Sequence, residues 1–177
     1  VSTTQVAAAG SRWWAVRRWL GTLARLVLAG VWLAAGAAKI GDLAASGRAI
    51  HAYQLLPYEL SVAMGAALPF VELLLGGLLL AGLATRVTAA VSAGLLVIFA
   101  AGIASAWARG LTIDCGCFGG GGELAAGADP SYAPELARSV TLAVLSFGLA
   151  RWPGSWLAAD SLLVGGDPTE PDEEEEE

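Results

Sequence analysis

Residues 59–84 read ELSVAMGAALPFVELLLGGLLLAGLA. Past Glu59 the run carries one ionisable residue, Glu72. At 1.5 Å of helix rise per residue it is long enough to cross a hydrocarbon layer of about 30 Å. Similar apolar runs occupy residues 20–39, 87–107 and 134–152. The chain is 56% hydrophobic and only 15% charged, whereas soluble domains run near 25% charged. The expected fold is therefore all-α, an integral membrane four-helix bundle with the lipid bilayer as its first partner. The second span is expected to kink at Pro69, where the ring removes a backbone donor and neighbours must satisfy the freed carbonyl. The fourth is the shortest. Only twelve residues separate Arg138 from Arg151, so a crossing helix has to begin near Pro134, a residue suited to the first helical position. Arg138 then faces the bundle.

Around a membrane domain at 20–157 the sequence sets two flanking segments. Residues 1–19 read as a cytoplasmic segment, disordered over 1–11, with Trp13, Trp14 and Trp19 among Arg12, Arg17 and Arg18 at the interface. The apolar run continues to Lys39 with no small-residue cleavage site, which predicts an uncleaved first span. Arg25 lies one turn inside it and is expected to snorkel to the cytoplasmic face. Residues 40–60 have room for a short interfacial helix ended by Leu56-Pro57. Residues 158–177 form a disordered acidic cytoplasmic tail. Its last eleven residues hold eight of the sixteen acids and account for the formal charge of −6; without them the balance turns slightly positive. No basic patch points to nucleic acid.

Lysine and arginine set the orientation. Arg12, Arg17, Arg18, Arg25, Arg86 and Arg151 share one side, against Lys39, Arg48, Arg109 and Arg138 on the other. The N-terminal cluster predicts a multi-pass protein of the cell (inner or plasma) membrane with both termini cytoplasmic. The loop at 109–133 then faces the oxidising side.

That loop contains Asp114-Cys115-Gly116-Cys117-Phe118-Gly119, which includes both cysteines of the chain. Cysteines two apart sit at the upper edge of disulfide geometry, and Gly116 lets the backbone bend to close the gap. A bridge over one residue restrains the unfolded chain little, so it stabilises little. Strained, exposed disulfides are the labile ones. The sequence favours redox exchange at Cys115 and Cys117, against a structural pair or half of a metal site. His51 and Asp114 could complete such a site only if two separate loops meet, and no metal is expected.

Several further stretches carry a resemblance. Ala35-Gly36-Ala37-Ala38-Lys39 closes the first span, and Tyr53-Gln54-Leu55-Leu56-Pro57 precedes the second. Pro69-Phe70-Val71-Glu72 lies within the second, and Cys115-Gly116-Cys117-Phe118-Gly119 follows the third. Together the chain from about Leu20 to Trp152 resembles the methylamine utilisation protein MauE family, within the DoxX-like four-helix membrane proteins. The acidic tail lies outside the resemblance. The resemblance implies thiol–disulfide chemistry outside the cytoplasm beside a thioredoxin-fold partner. In methylamine users that role supports maturation of the cysteine-rich small subunit of methylamine dehydrogenase.

The remaining candidates are ionisable. Glu72 inside a span demands a partner, and Lys39 and Arg138 are the candidates. The pair is either a structural register device or part of a proton or redox relay. Arg109 and Arg138 flank the cysteine loop and would favour a thiolate, while Asp114 would oppose it; the plainer reading of both arginines is surface anchoring. Two functions follow. One is a membrane thiol–disulfide oxidoreductase exchanging through Cys115 and Cys117. With no third cysteine it needs a quinone or a partner protein to carry electrons onward. The other is a non-catalytic scaffold for a thioredoxin-like or oxidase partner, its loop merely shaped by a disulfide.

Overall fold

The computed structural model describes residues 3–116, 121–124, 128 and 130–152, with side chains from residue 16 onward. Cys117, Phe118, Gly119 and the acidic tail lie outside the described residues. Five helices and one small hairpin follow in order: α1 (Thr3–Ile40), α2 (Leu43–Ala52), α3 (Tyr58–Ala81), α4 (Thr85–Ala108), β1 (Ile113–Asp114), β2 (Gly122–Glu123) and α5 (Tyr132–Arg151). Three helical stretches are long and apolar enough to cross a membrane: Val16–Ile40, α3 and α4. The fourth expected span is a helix too, but Glu135, Arg138 and Arg151 within α5 leave it short of that apolarity.

The helix ends have local causes. α3 starts after Pro57 and stops at Gly82, whose φ of +68° places it in the left-handed region. Its N–H and that of Leu83 return to the carbonyls of Leu79 and Leu78, a glycine C-cap that satisfies the last turn. Asp42 caps α2 by accepting the Ala45 N–H at 2.8 Å. That helix ends at Ala52, before the Leu56-Pro57 stop the sequence suggested. α1 reaches back to Thr3, through residues expected to be disordered; Ala7, Ala8 and Ala9 there are strong helix formers.

α1 and α2 run in succession along the length of α3. Close approaches fix the register. A Cβ at Gly76 would meet Leu33, and one at Gly36 would meet Leu73 and the Pro69 carbonyl. Further along, a Cβ at Gly47 would meet Val62, and one at Gly65 would sit 2.3 Å from the Gly47 nitrogen. The last part of α1 thus lies on the second half of α3, and α2 lies on the first half, with the helix interrupted at Gly41–Asp42 between them. Small residues at these crossings let backbones touch, as packing in lipid favours. α5 lies along α4.

Two buried clusters result. Leu28, Ala29, Trp32, Leu75, Leu79, Ala89, Leu96 and Leu149 join α1, α3, α4 and α5. Within this apolar layer Trp32 Nε1 donates to Ser92 Oγ at 3.1 Å. Arg25, expected to reach water, is instead 3% exposed. The second cluster, Ala52, Ile103, Ala106, Ile113 and Tyr132, lies beneath the cysteine loop.

Candidate functional site

Two groups of ionisable residues stand out. The first is the pair foreseen for Glu72. Lys39 Nζ donates to Glu72 Oε1 at 2.6 Å, with the side chains 6% and 1% exposed. Arg138, the other candidate partner, is bound elsewhere. Lys39 comes from the last turn of α1 and Glu72 from inside α3. The register set by Gly36 and Gly76 brings them together. Glu72 Oε2 has no hydrogen-bond partner among the described residues.

The second group surrounds Cys115. β1 and β2 pair antiparallel, Ile113 opposite Glu123 and Asp114 opposite Gly122. The hairpin places Cys115 half-buried just after β1. Its backbone is tethered on two sides. The Tyr53 hydroxyl donates to the Cys115 carbonyl at 3.3 Å. The Tyr132 hydroxyl donates to the Leu111 carbonyl and accepts the Ile113 N–H at 3.2 Å. Asp114 Oδ1 accepts the Gly116 N–H at 3.1 Å, which holds Gly116 at its φ of +68°. Gly121 packs so closely on Gly116 and Ala49 that a Cβ there would lie 2.6 Å and 2.7 Å from them. Only glycine allows that approach at its φ of +85°.

The thiol meets a carboxylate from α5. Cys115 Sγ donates to Glu135 Oε2 at 3.0 Å, and Arg138 one turn on donates to the same oxygen. A cavity of about 160 Å³ opens over this contact, lined among others by Asp114, Cys115, Tyr132 and Glu135. Arg109, expected from its sequence position to favour a thiolate, has its hydrogen bonds on backbone carbonyls. Its guanidinium donates to the Tyr53 carbonyl and, through Nε, to the Ser105 carbonyl at 3.2 Å. It fastens the segment after α2 to the end of α4. Glu135 escaped the sequence reading because an acid in the first turn of a helix is what the helix dipole favours anyway. The signal that could have found it is the acid–arginine spacing of Glu135 and Arg138 at the mouth of the cysteine loop. Among the described residues no group of three or more His, Cys, Asp or Glu side chains is placed to hold a metal ion.

The family described as methylamine utilisation protein MauE matches residues 17–159, most of the chain. The chain belongs to the MauE family. No curated protein and no solved structure matches it. The match takes in α2 to α5, nearly all of the apolar part of α1 and both ionisable groups. MauE membership and three membrane-capable helices make this a membrane protein, and the family name points to methylamine utilisation.

Proposed function

We propose that this MauE-family protein takes part in thiol–disulfide exchange outside the cytoplasm, through Cys115 and Cys117, with a thioredoxin-fold protein as its partner. The biological setting is maturation of methylamine dehydrogenase. In this reading α5 is the fourth span of the bundle, both ends of the chain face the cytoplasm, and the cysteine loop faces the oxidising side of the cell membrane. The observation that carries it is the setting of Cys115. The thiol is half-buried at the mouth of a small cavity, on a hairpin held by side chains from the end of α2 and the start of α5, and in contact with an ionisable group. A cysteine serving only as core filler needs none of this.

The test is a trap. With Cys117→Ala, an exchanging Cys115 holds its partner in a mixed disulfide that resists resolution. Non-reducing gels and mass spectrometry of membranes should show a Cys115-linked adduct with a thioredoxin-fold protein, lost on reduction. A membrane-impermeant thiol reagent should label reduced Cys115 from the outside in intact, envelope-stripped cells; labelling only after lysis reverses the orientation. The density of tethers on the loop also favours a second reading, a shaped docking surface for the same class of partner without turnover. Replacing both cysteines by serine separates them, because a scaffold keeps partner binding and function while an exchanging protein loses function.

A further inference from the structure

We infer that Glu135 is the acid–base group of Cys115, taking the thiol proton as the sulfur attacks and returning it when the sulfur leaves. Arg138 is its positioning residue. This rests on the proposed exchange at Cys115, and it concerns an acid that neither the family resemblance nor the cysteine motif marks out.

The geometry is direct. Glu135 Oε2 is 3.0 Å from Cys115 Sγ, within the reach required of a general base. Arg138 binds the same carboxylate from one turn further along α5, so the acid is held toward the sulfur. The hairpin holds the sulfur toward the acid, through Tyr53 and Tyr132. The cavity beside the contact gives a second sulfur a way in. Among the described residues, the other ionisable groups near Cys115 are Asp114 on β1 and the phenols of Tyr53 and Tyr132. Arg109 is engaged on the Tyr53 carbonyl, and α2 presents Ala49 to the neighbouring Gly121.

Electrostatics explains why a base is needed here. A carboxylate against a thiol disfavours a standing thiolate, because like charges would then sit in contact. Arg138 offsets part of that charge but shares it with Glu135. The contact gives the Cys115 proton a short path to the Glu135 carboxyl as the sulfur reacts.

The step balances. Cys115 Sγ attacks one sulfur of the partner's disulfide. The new S–S bond forms, the partner's S–S bond breaks, and the departing sulfur keeps the electron pair and takes a proton from solvent. The Cys115 proton passes to Glu135. Cys117 then gives up its proton and attacks Cys115 Sγ; the second partner sulfur leaves with the electron pair of the broken S–S bond and takes up a proton to become a thiol, and the bond between the two cysteines closes. Two thiols of this chain are oxidised, one partner disulfide is reduced to two thiols, and Glu135 returns its proton to water. The reverse direction uses the same atoms, with protonated Glu135 delivering its proton to Cys115 as it leaves.

The test uses the full chain in detergent or native membranes, in a Cys117→Ser background, reacting with an aromatic disulfide (dithiodipyridine). The expected rate is nearly flat across neutral pH. Adding Glu135→Gln should slow the reaction roughly tenfold or more at neutral pH and restore the rise of about tenfold per pH unit of an unassisted thiol. Alkylation at alkaline pH, where hydroxide supplies the thiolate, should stay within about twofold and shows that the loop is intact. Equal neutral rates and identical pH profiles in the two proteins overturn the inference and leave Glu135 as a helix-end ion pair. If Glu135→Gln is lost from membranes, the profile of the Cys117→Ser protein decides alone. A plateau supports the inference, and a slope of about tenfold per unit throughout overturns it. The exchange proposal fails separately: a Glu135-dependent Cys115 that never forms a mixed disulfide with a cellular protein keeps the inference and removes the function.

Discussion

Glu72 and Glu135 are both carboxylates paired with a cation, yet the two settings differ in nearly every other respect. Glu72 and Lys39 are sealed between α1 and α3, where backbones touch at Gly36 and Gly76. Glu135 and Arg138 are 23% and 36% exposed at the start of α5, beside a cavity and a thiol. The sealed pair joins two helices that are far apart in sequence. The open pair lies within one helix and adds almost nothing to the connection between elements. Burial thus sorts two similar ion pairs into different tasks: one fixes which helix lies against which, and the other stays accessible to a reacting group.

The largest expected effect tests the sealed side. Glu72→Gln leaves the Lys39 charge buried without its counter-charge, and breaking a buried pair this way costs about 3–5 kcal/mol. Thermal unfolding in detergent should show the loss. Combining Lys39→Met with Glu72→Leu should recover most of it, since an apolar pair of similar volume replaces a buried ion pair well. A variant Glu72→Gln with parental stability would break the comparison by placing the pair in water. Next comes the contact that carries α2. Gly65→Leu forces a side chain against the backbone of Gly47 and should cost about 1–3 kcal/mol or more. Gly77→Ala, with open space at its Cβ position, serves as the control.

Smaller effects belong to the open side. Tyr132→Phe removes the donor to Leu111 and the acceptor of the buried Ile113 N–H, which should cost about 1–3 kcal/mol and speed Cys115 alkylation as the hairpin loosens. Arg138→Gln should change stability by less than about 1 kcal/mol, the usual scale for a half-exposed pair, while altering Cys115 reactivity. A stability loss as large as that of Glu72→Gln would erase the distinction between the two pairs.

The helical frame was largely legible before any coordinates. Hydrophobic runs alone placed the second span at 59–84 and the third at 87–107, against α3 at Tyr58–Ala81 and α4 at Thr85–Ala108. The small difference at the turn comes from the left-handed Gly82 and Ala84, backbone states that hydropathy does not register. The Lys39–Glu72 pair was legible as one of two options, because a charge in lipid has to find an opposite one. Choosing Lys39 over Arg138 needed the register that Gly36 and Gly76 impose. The surroundings of Cys115 were hardly legible. They depend on Tyr53, Glu135 and Gly121 converging from three places in the chain, and no local pattern encodes that meeting. Arg109 shows the same limit: proximity in sequence suggested the thiol, and the turn after α4 carried it to Tyr53.

The break at Gly41–Asp42 has a consequence for the lipid around the protein. α3 is about 36 Å long at 1.5 Å per residue, and a continuous neighbour would give it an unbroken greasy flank. Instead the helix stops and restarts partway along α3, and Asp42 and Arg48 there are 63% and 61% exposed. Hydrocarbon does not tolerate that, so headgroups and water must dip toward the break on the α2 side while the α4 side keeps its full apolar height. The annulus of lipid is therefore lopsided. A bilayer around it would then be thinned on one flank only, and the protein would fit best in a thin bilayer or beside a neighbour that covers the dent.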